Sequence, residues 1–137
     1  MWIALAAGIA LGALSRVEET ADGLDLGIST NVTWLALAFA CGATAQRWSG
    51  VAGALALTVA NASYYAYVAL TEPGRPLDDV AGPVGRWFAL GIAGGLVFGP
   101  AGALIRHERL AVRALAAAPL AALVVAEHIP ALETALP

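Results

Sequence analysis

The fold of this chain is decided by apolar stretches such as residues 84–105, VGRWFALGIAGGLVFGPAGALI. Arg86, near its beginning, is the one charged residue among these 22. A helix needs about 20 predominantly apolar residues to cross the hydrocarbon core of a bilayer, within a range of about 17–25. The stretch therefore predicts a membrane-spanning helix.

Four more apolar stretches accompany this one, and most of the seven arginines and ten acidic residues lie in the segments between them. They cover roughly residues 1–16, 28–45, 49–70 and 110–129. The chain is 60% hydrophobic and 12% charged, whereas soluble domains are about 45–50% apolar and about 25% charged. We therefore predict an all-α polytopic membrane protein, with residues 1–137 forming a single bundle of five transmembrane helices.

The first stretch is short for a span, and a cleaved signal peptide is the alternative. A signal peptide begins with a positively charged region. Here Met1 is followed directly by Trp2 and Ile3. We therefore expect the stretch to be retained as a spanning helix.

The arginines predict the orientation in the cytoplasmic membrane. Five spans place the two termini on opposite sides. One side receives Arg47, Arg106, Arg109 and Arg113, and the other receives Arg16, Arg75 and Arg86. Positive residues favour the cytoplasmic side, and the segment 106–113 is compactly basic. We expect the N-terminus inside and the C-terminus outside.

Glycines recur at helical spacing in two of the stretches. Gly91, Gly95 and Gly99 follow one another every fourth residue, as do Gly8 and Gly12. In lipid, small residues let helix backbones approach closely and pack. These glycines predict helix-packing faces, which serve either contacts within the chain or self-association; contacts within the chain are the commoner case.

Polar and aromatic side chains gather toward the outer ends of the predicted spans. The candidates for ligand binding are Asn31, Trp34, Asn61, Tyr64, Tyr65, Arg86, Trp87 and Glu127. Polar side chains within a membrane are costly and often mark a functional site. Asn61, Tyr64 and Tyr65 share one helical face at spacings of three and four.

Two interpretations of these residues remain open. In one, the tyrosines and tryptophans form an interfacial aromatic belt, the charged side chains lie among the headgroups, and Asn61 hydrogen-bonds a neighbouring helix. In the other, the residues line an outward-facing pocket for a small, partly aromatic or anionic molecule. Asn61 argues most strongly against the belt, because it lies deepest and is not a typical interfacial residue.

The sequence contains no motif typical of catalysis, metal binding or nucleotide binding. His107 and His128 fall on opposite sides of the predicted membrane, so we expect no shared metal, and we expect no cofactor. The net charge of −3 gives no reason to expect a nucleic-acid partner.

We therefore expect a non-enzymatic protein that binds a small ligand or lipid. The alternative is a structural or accessory subunit of a membrane complex, and a transporter component or membrane enzyme has less support. The expected partners are the lipid bilayer, a small molecule, and either a second copy of the chain or another membrane protein.

Several short motifs resemble those of a known family. They are Gly8-x-x-x-Gly12-Ala13-Leu14, Asn31-x-x-Trp34 with Ala38-Phe39-x-x-Gly42, Tyr64-Tyr65, Trp87, and the run Gly95–Gly102 followed by Arg106. In this order they resemble a family of small, uncharacterised multi-pass membrane proteins from actinobacteria, classed as a domain of unknown function. The chain departs from that family in having Val32 rather than serine after Asn31, and in a more acidic first loop. The resemblance implies the architecture and no activity.

Overall fold

A computed structural model describes residues 1–21, 27, 30–72 and 77–135, with the backbone alone for 77–81 and 128–135. Arg75, used above for orientation, and residues 28–29 of the second apolar stretch lie outside this part. The predicted all-α class is confirmed. The helices are α1 (Trp2–Thr20), α2 (Asn31–Ala45), α3 (Ser49–Thr71), α4 (Leu77–Leu104) and α5 (Leu110–Ala135), with a 3-10 turn at Gln46–Trp48.

Helices α2 and α3 form an antiparallel pair. The Thr30 hydroxyl caps α2 by accepting a hydrogen bond from the Thr33 backbone N–H. At the other end, Gln46 has a φ of 43°, and the 3-10 turn that begins there leads into α3. The rings of Trp34 and Tyr64 then meet edge to face, near the start of α2 and late in α3.

Helix α3 lies at the centre of the bundle, packed against α1, α2 and α4. Its fully buried positions include Ala52, Ala56 and Ala60, one per turn on a single face. Small side chains there allow neighbouring backbones to come close. The resulting apolar cluster joins Ala4 of α1 and Cys41 of α2 to Ala52 and Ala56.

The glycines singled out in the sequence lie where helices approach one another within the chain. A Cβ added to Gly8 would lie 2.6 Å from the Ala56 carbonyl oxygen. Gly12 lies against Ala60, Gly91 against Asn61 and Leu57, Gly95 against Ala54, and Gly99 against Ser49. Gly42, Gly53 and Gly102, which sequence analysis did not select, also make close backbone contacts.

Helix α5 lies at the periphery. It contacts α4 and α2, and among its described side chains Ala116 is the buried one. Leu110 and Leu115 are each 76% exposed. This helix therefore presents a largely apolar surface outward.

Within the part of the chain that the structure describes, three stretches are long and apolar enough to cross a membrane, which is compatible with a membrane location. They are Asn31–Thr71, Gly82–Leu104 and Leu110–Glu127. The predicted count of five spans is not matched by this criterion, for two reasons. The first stretch contains both α2 and α3, and every 18-residue window of α1 holds three charged residues, Arg16, Glu18 and Glu19.

A candidate ligand cavity at one end of the bundle

An open cavity of about 610 Å³ lies toward the end of the bundle where α1 and α3 finish and α2 begins. Its lining comes from late α1, early α2, residues 57–65 of α3, residues 87–98 of α4 and Leu123 of α5. Six of the eight predicted binding residues are in the lining: Asn31, Trp34, Asn61, Tyr64, Tyr65 and Trp87. The antiparallel packing of α2, α3 and α4 brings these residues together, although up to 56 positions separate them in sequence.

Asn61 is a buried polar residue of the cavity wall, with 5% of its surface exposed. Its Nδ2 donates to the backbone carbonyl oxygens of Leu57, at 3.0 Å, and Trp87, at 3.5 Å. Gly91 makes this possible, because a Cβ there would lie 2.9 Å from Nδ2. The side-chain amide of Asn61 therefore bridges α3 and α4.

Three aromatic rings form a connected group in the wall. Trp34 and Tyr64 have ring centroids 6.5 Å apart at 71°, and Tyr64 and Tyr65 have centroids 5.2 Å apart at 84°. Both are edge-to-face arrangements, which the ring quadrupoles favour. The Trp34 Nε1–H donates to Ser15 Oγ at 3.2 Å, so α1 fixes the orientation of the group.

A cluster of charged and polar side chains lies at the same end of the bundle. It consists of Arg16, Glu19, Tyr64 and Glu72, and we call it the Arg16 cluster. The Tyr64 hydroxyl donates to Glu19 Oε2 at 2.5 Å. Arg16 donates to the same oxygen at 3.2 Å and also pairs with Glu72. The guanidinium carbon lies 6.0 Å from the Tyr64 ring centroid. The cluster therefore joins the end of α1 to the end of α3.

Two polar residues of the cavity lining, Ser15 and Glu19, were not among the binding candidates chosen from the sequence. The first apolar stretch was expected to end at about residue 16, which assigned Glu19 to a loop. The helix instead continues to Thr20. The spacing of Arg16 and Glu19 was the available signal, since oppositely charged residues three apart stabilise a helix.

Two of the predicted binding residues lie outside the lining. Arg86 is exposed at the start of α4, about 100° around the helix from its lining neighbour Trp87. Glu127 is partly exposed on α5, which contributes Leu123 to the cavity instead. The side chain of His128 is outside the described part, and His107 is exposed at the opposite end of the bundle.

Comparison with known proteins assigns the chain to a family. The family of unknown function DUF6518 matches residues 1–134, nearly the whole chain, and the chain belongs to that family. No curated protein and no solved structure matches it significantly.

Proposed function

We propose that this protein crosses the cytoplasmic membrane five times and binds a small, largely apolar ligand or a lipid in the cavity, without catalysis. The first support concerns the 41-residue stretch Asn31–Thr71. A single pass needs about 20 residues. The edge-to-face contact of Trp34 with Tyr64 and the shared cluster of Cys41 with Ala52 fit two antiparallel passes.

The packing of α1 supports its assignment as a fifth span. Gly8 meets Ala56, and Gly12 meets Ala60, so α1 runs parallel to the central helix α3. The three charged residues at its end are accommodated in the Arg16 cluster and beside it. A span with its charges at one end, paired with another helix, avoids most of the cost of charges in hydrocarbon.

The orientation rests on the basic end of the bundle. Gly102, late in α4, packs against Phe39 of α2, so Arg47 and the segment 106–113 belong to the same end. Concentrated arginines favour the cytoplasmic side. With this orientation the cavity opens toward the outside.

The observation that carries the binding role is the burial of Asn61 beside a sizeable cavity. Ligand pockets are commonly about 300–1,000 Å³, mostly apolar, with a few polar groups that orient the ligand. An aromatic belt accounts for rings at the membrane interface. The hydrogen bond from Asn61 to the Trp87 carbonyl accounts for the buried asparagine, but not for the space of about 610 Å³ beside it.

Native mass spectrometry on protein gently extracted from its own host tests this role. We expect a retained small molecule or lipid in wild type, and its loss in Asn61→Leu. Ala62→Leu is the matched control, because Ala62 is the exposed neighbour on the same helix and its variant should keep the ligand. Wild-type protein without a retained molecule, or equal retention in Asn61→Leu, would contradict the proposal.

The second candidate is an accessory subunit of a membrane complex, and the exposed apolar surface of α5 favours it. The glycine faces of α1 and α4 are occupied within the chain, so a partner would dock on α5. The same experiment then returns stoichiometric protein partners and no small molecule.

A further inference from the structure

The lining of the cavity is unbalanced in charge. Among the described residues, Glu19 is the one charged side chain that lines it. Arg86, the one cation among the predicted binding residues, is exposed outside the lining. The one charged group that the described wall presents is therefore a carboxylate, and Arg16 pairs with it from outside the lining.

We propose that the cavity takes an amphipathic organic cation, with an alkylammonium group between Glu19 and the aromatic rings and an apolar tail directed along α4. This inference rests on the proposed binding function. It adds the chemical class of the ligand, which that function leaves open.

The aromatic rings are the first reason for a cation. Trp34, Tyr64, Tyr65 and Trp87 all line the cavity. The face of such a ring carries negative electrostatic potential and attracts a cation within about 6 Å of its centroid. Edge-to-face packing at Tyr64 and Tyr65, with an interplanar angle of 84°, turns the two ring faces toward different directions, as the walls of an aromatic cage require.

The hydrogen bonding of Glu19 is the second reason. Its Oε2 accepts from both Tyr64 and Arg16, and Oε1 accepts no bond among the described residues. Arg16 shares its guanidinium between Glu19 and Glu72. Glu19 lines the cavity together with the rings, so its Oε1 is the oxygen that attracts a cation there.

The rest of the lining is suited to an apolar tail. The wall continues away from Glu19 with apolar side chains, namely Leu57, Leu90, Val97, Phe98 and Leu123. Apolar surface buried there contributes about 25 cal/mol per Å². A ligand with one cationic end and one hydrocarbon end matches both parts of the cavity.

Three probes of equal hydrocarbon length test the charge preference: hexyltrimethylammonium, its neutral isostere 2,2-dimethyloctane, and hexanesulfonate. Their binding to the purified full chain in neutral maltoside micelles is measured by equilibrium dialysis, with protein-free micelles subtracted. We expect the cation to bind about tenfold more tightly than the isostere, which is the size of one desolvated cation–π contact, and the sulfonate to bind least.

A matched pair of variants locates the preference. Glu19→Gln keeps the shape of the side chain and an acceptor for Tyr64, and we expect it to lose most of the tenfold preference. Glu72→Gln also removes a carboxylate that pairs with Arg16, but Glu72 is not in the lining. This variant should therefore keep most of the preference.

The outcomes separate this inference from the function it rests on. Equal binding of the cation and the isostere to wild type would overturn the proposal of a cationic ligand and leave a site for an apolar ligand. If none of the three probes binds above background, both the cationic ligand and the proposed binding function are overturned. An equal loss of the preference for the cation in the two variants would refute the placement of the alkylammonium group beside Glu19.

The alkylammonium group has two natural sources, a free amphipathic cation or the headgroup of a lipid. Competition distinguishes them within the same dialysis. Displacement of hexyltrimethylammonium by phosphatidylcholine, and not by the matching diacylglycerol, identifies a lipid headgroup. Displacement by neither lipid identifies a free cation, and displacement by both overturns recognition of the charged group.

Discussion

Gly12 illustrates how closely the backbones of α1 and α3 approach one another. It packs directly on the carbonyl group of Ala60, so an added methyl group has no room. Gly85 of α4 has the opposite surroundings, because no neighbouring atom lies within 4 Å of a Cβ added there. The two positions therefore separate the effect of packing from that of helix propensity.

We predict that Gly12→Ala destabilises the protein by about 1–3 kcal/mol, the usual cost of inserting a methyl group into a packed contact. Gly85→Ala should be neutral or slightly stabilising, because alanine favours a helix by about 1 kcal/mol over glycine. Thermal unfolding in detergent measures both. Equal melting temperatures for the two variants would contradict the close contact.

Tyr64 links the aromatic rings to the Arg16 cluster through its hydroxyl. We predict that Tyr64→Phe costs about 1 kcal/mol, the net value of a partly exposed hydrogen bond to a carboxylate. Tyr67→Phe is the control, because no described residue bonds to the Tyr67 hydroxyl. The same unfolding measurement applies, and a Tyr67→Phe effect as large as that of Tyr64→Phe would argue against the Glu19 bond.

At the scale of single elements, α3 and α5 differ in how much they contribute to packing. Leu57 of α3 is 1% exposed, and Leu115 of α5 is 76% exposed. We predict that Leu57→Ala costs about 2–5 kcal/mol, because it removes buried methyl groups and enlarges the cavity. Leu115→Ala should stay within about 0.5 kcal/mol. A large effect at Leu115 would show that α5 is buried by a partner, as in an assembly.

Helical spacing groups three of the lining residues on one face, and the topology of the bundle brings the others to them. Asn61, Tyr64 and Tyr65 share a face because residues three and four apart are neighbours on a helix. Trp34 and Trp87 join them because α2 and α4 each begin at the end of the bundle where α3 finishes. Glu19 was missed because its charge suggested a loop, whereas pairing with Arg16 and Tyr64 keeps it on α1.

At the scale of the whole molecule, the arginine distribution predicts the orientation, and single cysteines test it. In a Cys41→Ala background, we expect His107→Cys to react with a membrane-impermeant maleimide only after the cells are permeabilised. Thr71→Cys, exposed at the end of α3, should react from the outside in intact cells. Reversed labelling would invert the orientation, and labelling of both from one side would contradict the antiparallel arrangement of the spans.

The central claim is that the aromatic group faces a shared interior cavity and not the surrounding lipid. Tryptophan quenching by lipids brominated near the headgroup tests it most directly. Trp34 is partly buried, and Ala66 is exposed on α3 near the level of Tyr64. Two proteins are compared in which all other tryptophans are phenylalanine, one retaining Trp34 and one carrying Ala66→Trp.

We predict that brominated lipid quenches Trp34 less than half as strongly as the tryptophan at position 66, because ring contacts and the hydrogen bond to Ser15 hold Trp34 against the cavity. Equal quenching of the two tryptophans would place Trp34 in lipid, and the aromatic group would then be an interfacial belt.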